Sequence, residues 1–248
     1  MLLAAAAVGP AAASTFVFVP PTQSTSQPPA CKLGNVTTQL ASYADWSGAL
    51  VDWQFRVPAS YAPRDLVPVS RAGIAGSGLI RSFVIPDLAA MTKAARSAGA
   101  PIAIESAYRS YSTQASTFNT WVNELGYETA ILGSARAGHS EHQLGVAIDF
   151  KTPGAGPPWH LGGYDWATTR AGAWMVKNAW KFGFIMSYPR GRTSQVCYGY
   201  EPWHYRYFGR AQAAAIHASG ETSRAWLWQQ EHRVVAAPGA PVSVGPRP

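Results

Sequence analysis

The sequence predicts an α+β domain, on three observations. Segments of helical periodicity alternate irregularly with short apolar runs of strand length, without the strand–helix–strand rhythm of a doubly wound fold. No glycine-rich phosphate loop opens any of the helices. The chain has 248 residues, of which 47% are hydrophobic, enough for one sizeable core. That core is expected over residues 31–235. Residues 20–30 read as a linker rich in Pro, Ser, Thr and Gln, and 236–248 as a Pro-rich tail without periodicity.

The elements follow in order. Pro86 opens a helix that buries Leu88, Met91, Ala95 and Ala98 and stops at Gly99. Residues 101–106 carry Ile102-Ala103-Ile104 and read as a buried strand. Ser112 is placed to cap a second helix, with Phe118, Trp121, Val122 and Leu125 along it and Gly126 as its stop. Residues 146–150 alternate, with Val146, Ile148 and Phe150 on one face and Ala147 and Asp149 on the other. An amphipathic helix is expected over 168–182, ended by Gly183, then a strand over 184–188. Residues 204–208 alternate again, placing His204, Arg206 and Phe208 on one face and Tyr205 and Tyr207 on the other. A helix over 211–219 closes the domain.

Composition narrows the class of function. The formal charge is +7, but no dense Lys/Arg run or basic helix face occurs. Nucleic-acid binding is therefore not expected, and the charge suits an anionic wall or membrane surface. Ten Trp and eleven Tyr are costly to bury without polar partners, so many are expected to line a groove or the edge of the core. The first nineteen residues are apolar and Ala-rich, like the apolar part and cleavage region of an export signal. They lack a basic start, which points to a truncated leader. Gly9-Pro10 and Pro20-Pro21 break the stretch, so no stable membrane span is expected. An even pair of cysteines, Cys31 and Cys197, fits one disulfide in an exported protein. A bridge there would pin the start of the domain beside the segment that leads into Glu201.

Two short segments carry the chemistry. One runs Ser140-Glu141-His142-Gln143-Leu144-Gly145-Val146-Ala147-Ile148-Asp149, the other Glu201-Pro202-Trp203-His204. Two His and one carboxylate suffice to hold a catalytic zinc with one coordination position open to water. A further Glu can take the proton of that water. His142 and Asp149 are seven residues apart, on the order of 23 Å if extended, so the chain must bend between them. Gly145 allows that bend. Pro202 makes a regular central strand unfavourable there, so a turn into His204 can bring Glu201 and His204 to one cavity.

Ser-x-His-x-x-Gly-x-Ala-x-Asp followed by Glu-x-Trp-His resembles the zinc D-alanyl-D-alanine carboxypeptidases of the VanY type. These belong to the LAS group of metallopeptidases. Ser106-Ala107-Tyr108-Arg109-Ser110-Tyr111-Ser112-Thr113-Gln114 and Gly183-Phe184-Ile185-Met186-Ser187-Tyr188-Pro189 are similar to that family too. The resemblance implies a small antiparallel sheet carrying the zinc site, flanked by helices. It implies zinc ligands at His142, Asp149 and His204, and a catalytic base at Glu201. Arg109 matches an arginine that polarises the scissile carbonyl or holds the anionic substrate. Ser140 and Gln114 match substrate-contacting positions, Trp203 lines the pocket, and Tyr108 and Tyr188 neighbour it. His139 matches no ligand and reads as a loop residue. The chain departs from the family pattern at Ala107, at Ser187 and over residues 197–200. The last two are expected at the pocket mouth, where they bear on substrate preference.

The implied activity is hydrolysis of a peptide bond near the C-terminus of peptidoglycan stem peptides, most simply D-Ala-D-Ala, by a secreted or envelope-associated monomer. The same site would also serve an L,D-carboxypeptidase, a D,D-dipeptidase or an endopeptidase. A non-catalytic, zinc-stabilised wall-binding module is the alternative of a different class, and an intact Glu201 argues against it.

Overall fold

A computed structural model of the protein describes residues 27–38, 46–159 and 163–234. The expected leader and the Pro-rich tail, apart from residues 27–30 of the linker, lie outside the described residues.

Two small strand pairs precede the main body. β1 (Val36–Thr37) runs parallel to β2 (Phe55–Arg56), and β3 (Leu66–Pro68) pairs antiparallel with β4 (Leu79–Arg81). Helix α1 (Ile85–Ser97) follows, with a Pro in its first turn. Then come β5 (Ala103–Ser106), α2 (Tyr111–Leu125) and α3 (Tyr127–Gly133). The order continues through β6 (Ala147–Lys151), α4 (Arg170–Asn178), β7 (Phe184–Met186), α5 (Thr193–Val196), β8 (His204–Tyr207), α6 (Arg210–Ser219) and α7 (Ser223–Val234).

Strands β5, β6, β8 and β7 form a four-stranded, fully antiparallel sheet in that order. The expected α+β class and antiparallel sheet are both present. The pleat sorts the side chains as the alternation requires. Ile104 faces Phe150 across one pair and Ile148 faces Tyr205 across the next. These residues bury with Leu88, Met91 and Ala95 of α1 and Ala171 and Met175 of α4 in the main core. Full burial of each such side chain stabilises by about 1.5–3 kcal/mol. The opposite face carries Ser106, Asp149 and His204, brought into register by the pairings Ser106↔Asp149 and Asp149↔His204. One face of the sheet therefore holds the fold together, and the other presents polar groups.

Most expected elements appear within a few residues of their expected bounds, with three differences. The cap of α2 is Ser110 rather than Ser112, because its extended backbone lets the side chain accept from the Thr113 amide at 3.1 Å. The helix expected over 168–182 is α-helical only over Arg170–Asn178. Thr169 caps it by accepting from the Gly172 amide at 3.0 Å, and a 3₁₀ turn over Ala179–Phe182 finishes it. Strands β1 to β4 and helices α3, α5 and α7 have no counterpart among the expected elements. α3 buries only Ala130 and Ile131, against Phe118 of α2, too few residues to show a period. α7 packs Leu227, Trp226 and Trp228 into a second apolar cluster, and its Arg224 guanidinium bonds Asp52 at 2.6 Å and the carbonyls of Gln195 and Pro29.

Candidate metal centre and active-site cleft

The site is built on strand ends and turns. Residues Glu141–Leu144 form a 3₁₀ turn capped by Ser140, whose hydroxyl accepts from the His142 amide at 3.3 Å. Gly145 ends the turn with φ 73°, a left-handed conformation that L side chains adopt at a cost of roughly 1–2 kcal/mol. A Cβ at this position would lie 3.0 Å from both Arg81 Cγ and Pro63 Cγ. The chain thus turns from His142 into β6 where the sequence required it. On the second segment the His204 amide bonds the Glu201 carbonyl at 3.2 Å, closing a tight turn through Pro202.

These two turns bring His142, Asp149 and His204 together, all buried, with one candidate donor atom from each lying within 4.8 Å of the others. Their ring nitrogens are not equivalent. His142 Nδ1 lies 2.6 Å from the Ala107 carbonyl, which accepts its proton and leaves Nε2 with a lone pair. That Nε2 is buried without a hydrogen-bond partner, 3.1 Å from Asp149 Oδ2. His204 Nδ1 lies 2.9 Å from Asp149 Oδ1, while its Nε2 lies 3.0 Å from Glu141 Oε2. Two imidazoles and a carboxylate converging in this way, with an orphaned buried ring nitrogen among them, fit a zinc ion.

The electrostatics follow from burial opposed by pairing. Burial pushes the His142 imidazole down to about 4, with the Arg109 charge adding to the effect and Asp149 opposing it. Burial would raise Asp149 and Glu141, but neighbouring donors outweigh it. Asp149 is held well below the usual carboxylate range by His142 and His204, and Glu141 is held at about 2 by His204, Arg206 and Ser187. Burial would lower His204, yet its bonds to Asp149 and Glu141 raise it to about 10. Glu201 behaves differently. Burial lifts it to about 8, reinforced by the charges of Asp149 and Glu141 and opposed by His204 and Arg109. A carboxyl poised near neutrality suits proton transfer in both directions.

Around these groups lies a cleft of about 690 Å³. Of the residues expected at the site, His142, Asp149, His204, Glu201, Arg109, Ser140, Trp203 and Tyr188 all line it. Tyr188 stacks on the His204 ring at 4.8 Å. Arg109 is held by Gln114 Oε1 and Ser106 Oγ, both at 2.8 Å, and reaches Asp149 Oδ2 at 3.3 Å. Gln114 and Tyr108 are not among the lining residues. Gln114 is fully buried, and its amide donates to the Ala135 carbonyl at 2.7 Å, so its place is behind Arg109. His139 is no ligand: its Nδ1 lies 2.6 Å from the Asp52 carbonyl and its Nε2 faces the Asn35 amide at 3.2 Å. Cys31 and Cys197 are bridged, with Cα atoms 5.3 Å apart.

Ser187 is not at the cleft mouth, contrary to expectation. It is buried and donates to Glu141 Oε2 at 2.6 Å, because β7 lies beside β8 and carries it toward Glu141. Cys197 is likewise buried, while Tyr198, Gly199 and Tyr200 do line the cleft. Sequence reasoning missed Ser106, Glu141, Trp121 and Trp159. A signal existed for Glu141: Arg206 shares a strand face with His204, and a buried arginine needs a carboxylate.

The sequence matches the VanY family, described as D-alanyl-D-alanine carboxypeptidase, over residues 78–210. The chain belongs to the VanY family. The matched segment contains the candidate ligands, Glu201 and Arg109. The chain is 36% identical to the Bacillus subtilis protein YodJ over 172 residues, covering 68% of this chain and 62% of YodJ. It spans about three fifths of the length of YodJ and of the Enterococcus faecalis D-alanyl-D-alanine carboxypeptidase that it also matches. Among solved structures, the LdcB LD-carboxypeptidase superposes with a TM-score of 0.61 at 32% identity, covering 73% of this chain and 84% of that one. The vancomycin resistance D,D-pentapeptidase VanY, solved with Zn(II), superposes with a TM-score of 0.62 at 29% identity, covering 73% of this chain and 99% of that one. The structural matches thus cover a larger share of the chain than the family segment does.

Proposed function

We propose that this protein is a zinc D,D-carboxypeptidase that removes the terminal D-alanine from peptidoglycan stem peptides. The observation that carries the reading is the convergence of His142 Nε2, Asp149 and His204 Nδ1 in one cleft with Glu201 and Arg109. His142, Asp149 and His204 would hold the zinc. When bound, that ion supplies a Lewis acid for the scissile carbonyl and makes water a better nucleophile near neutral pH.

The chain's own residues do the rest. Glu201 takes a proton from the attacking water and returns it to the leaving amine nitrogen. Arg109, clamped by Gln114 and Ser106, presents its guanidinium to the carbonyl oxygen or to the terminal carboxylate. Ser140 contacts substrate from the wall, and Trp203, in edge contact with Trp159 at 5.2 Å, excludes water from one side. Tyr188 packs the His204 ring in place. Action outside the cytoplasm agrees with the Cys31–Cys197 bridge. Among the described residues no helix is long and apolar enough to cross a membrane. The protein acts as a monomer in this reading, and the stem peptide is its partner.

An L,D-carboxypeptidase acting on tetrapeptide stems is the second reading, favoured by the equally close match to LdcB. Mass spectrometry of products from tri-, tetra- and pentapeptide stems, with and without chelator, separates the two. Loss of D-Ala from the pentapeptide alone is the expected result. Glu201→Ala should retain zinc and lose hydrolysis by about 10²–10⁴-fold. Retained activity in that variant overturns the role of Glu201.

A further inference from the structure

Glu141 lies between Ser140 and His142, is buried, and does not line the cleft. Three donors, two from β8 and one from the residue just past β7, converge on its carboxylate. Ser187 Oγ and His204 Nε2 meet Oε2 at 2.6 and 3.0 Å, and Arg206 meets Oε1 at 3.1 Å. Arg206 is itself fixed, donating to the Trp46 carbonyl at 2.8 Å and lying over the Phe208 ring. A carboxylate whose oxygens already accept from the Arg206 guanidinium and the Ser187 hydroxyl cannot rotate away and meets His204 as an acceptor. Any hydrogen bond with His204 must therefore run from the ring to Glu141.

That direction matters because His204 has a second suitor. Asp149 faces its other nitrogen at 2.9 Å and could equally accept a proton. A neutral ring carries only one, and the nitrogen that keeps it cannot bind a metal. We propose that Glu141 is a positioning residue for the metal centre, holding His204 with its proton on Nε2 and its Nδ1 lone pair turned toward His142 and Asp149. Ser187 and Arg206 hold Glu141 in turn. The inference rests on the zinc reading and adds to it what turns the Nδ1 lone pair of His204 toward the metal. A carboxylate partner of this kind typically contributes 10–100-fold to metal affinity.

The test measures zinc affinity by competition with a chromophoric chelator, and locates the His204 proton by ¹⁵N–¹H correlation in the zinc-loaded protein. Wild type should carry the proton on Nε2. Glu141→Gln should bind zinc 10–100-fold more weakly, and Ser187→Ala less severely in the same direction. A proton on Nδ1 in the wild-type spectrum overturns the inference, as does unchanged affinity in a folded Glu141→Gln protein. If Glu141→Gln does not fold, the wild-type spectrum and the Ser187→Ala affinity decide by the same criteria. Absence of zinc uptake by the wild-type protein overturns the metal reading itself. Tight uptake with unaltered variants overturns only the role of Glu141.

Discussion

Asp149 stands directly opposite His204 in the β6–β8 register, and its Oδ1 lies 2.9 Å from His204 Nδ1. Opposite residues in an antiparallel pair share a face and hold their Cβ atoms about 4.5–5.5 Å apart. Two of three candidate ligands thus face each other across paired strands, while His142 sits in the 3₁₀ turn before β6. A frame of this kind costs little to reorganise when a cation binds, and it makes the first expectation specific.

Chelation should abolish hydrolysis and lower the melting temperature, and zinc should restore both. Zinc at a thousand times its dissociation constant adds about 4 kcal/mol, on the order of 10 °C for a domain of this size. Asp149→Ala should fail to take up stoichiometric zinc by atomic emission. A melting temperature indifferent to zinc would contradict the ligand assignment.

Arg109→Lys keeps a charge but loses the fork that Gln114 and Ser106 orient. The expected loss in kcat/KM is about 10²–10³-fold with zinc content intact. Steady-state kinetics also identify its task. A fall in kcat at constant KM places it on the developing oxyanion, and a rise in KM alone places it on the substrate carboxylate. Unchanged kinetics remove it from the mechanism.

The Cys31–Cys197 bridge closes a separation of 166 residues and ties the N-terminal segment to the run that carries Tyr198, Tyr200 and Glu201. Reduction, or Cys31→Ser with Cys197→Ser, should cost up to about 5 kcal/mol by the chain-entropy account. Urea unfolding with and without reductant reads this directly. Equal midpoints would show that the bridge contributes nothing to stability.

Burial lowers His139 below its ordinary 6.5, aided by the charges of Arg136 and Arg56 and opposed by the Asp52 carbonyl and carboxylate. The unfolded chain therefore binds a proton more readily than the folded one. The stabilising contribution is complete above pH 6.5 and declines as pH falls through the lowered value. Urea midpoints measured from pH 7.5 down to 5 should fall less steeply for His139→Gln than for wild type. Parallel pH profiles would exclude His139 as a source of acid sensitivity.

The candidate ligands and candidate base are legible in the sequence because they fall in two short runs of adjacent residues. Gly145 and Pro202 mark the two turns, and strand alternation assigns Asp149 and His204 their faces, all from local backbone rules. Ser112 was read as a cap where Ser110 serves, since both lie near enough to the helix start and only backbone geometry separates them. The family resemblance makes Gln114 a candidate substrate contact, whereas the structure places it behind Arg109. Its burial behind Arg109 depends on the Ala135 carbonyl, 21 residues away.

The sequence by itself determined the fold class, the zinc-ligand residue types and the bend that brings them together. Tertiary structure alone decided which acceptors meet the histidine rings, since Ala107 and Glu141 are 35 and 63 residues from the rings they face. It also decided that Ser187 serves Glu141 rather than the cleft mouth. The physical reason is range. Turn and strand preferences act over a few residues, whereas a proton's position on a buried ring is set by whichever acceptor the fold brings within 3 Å.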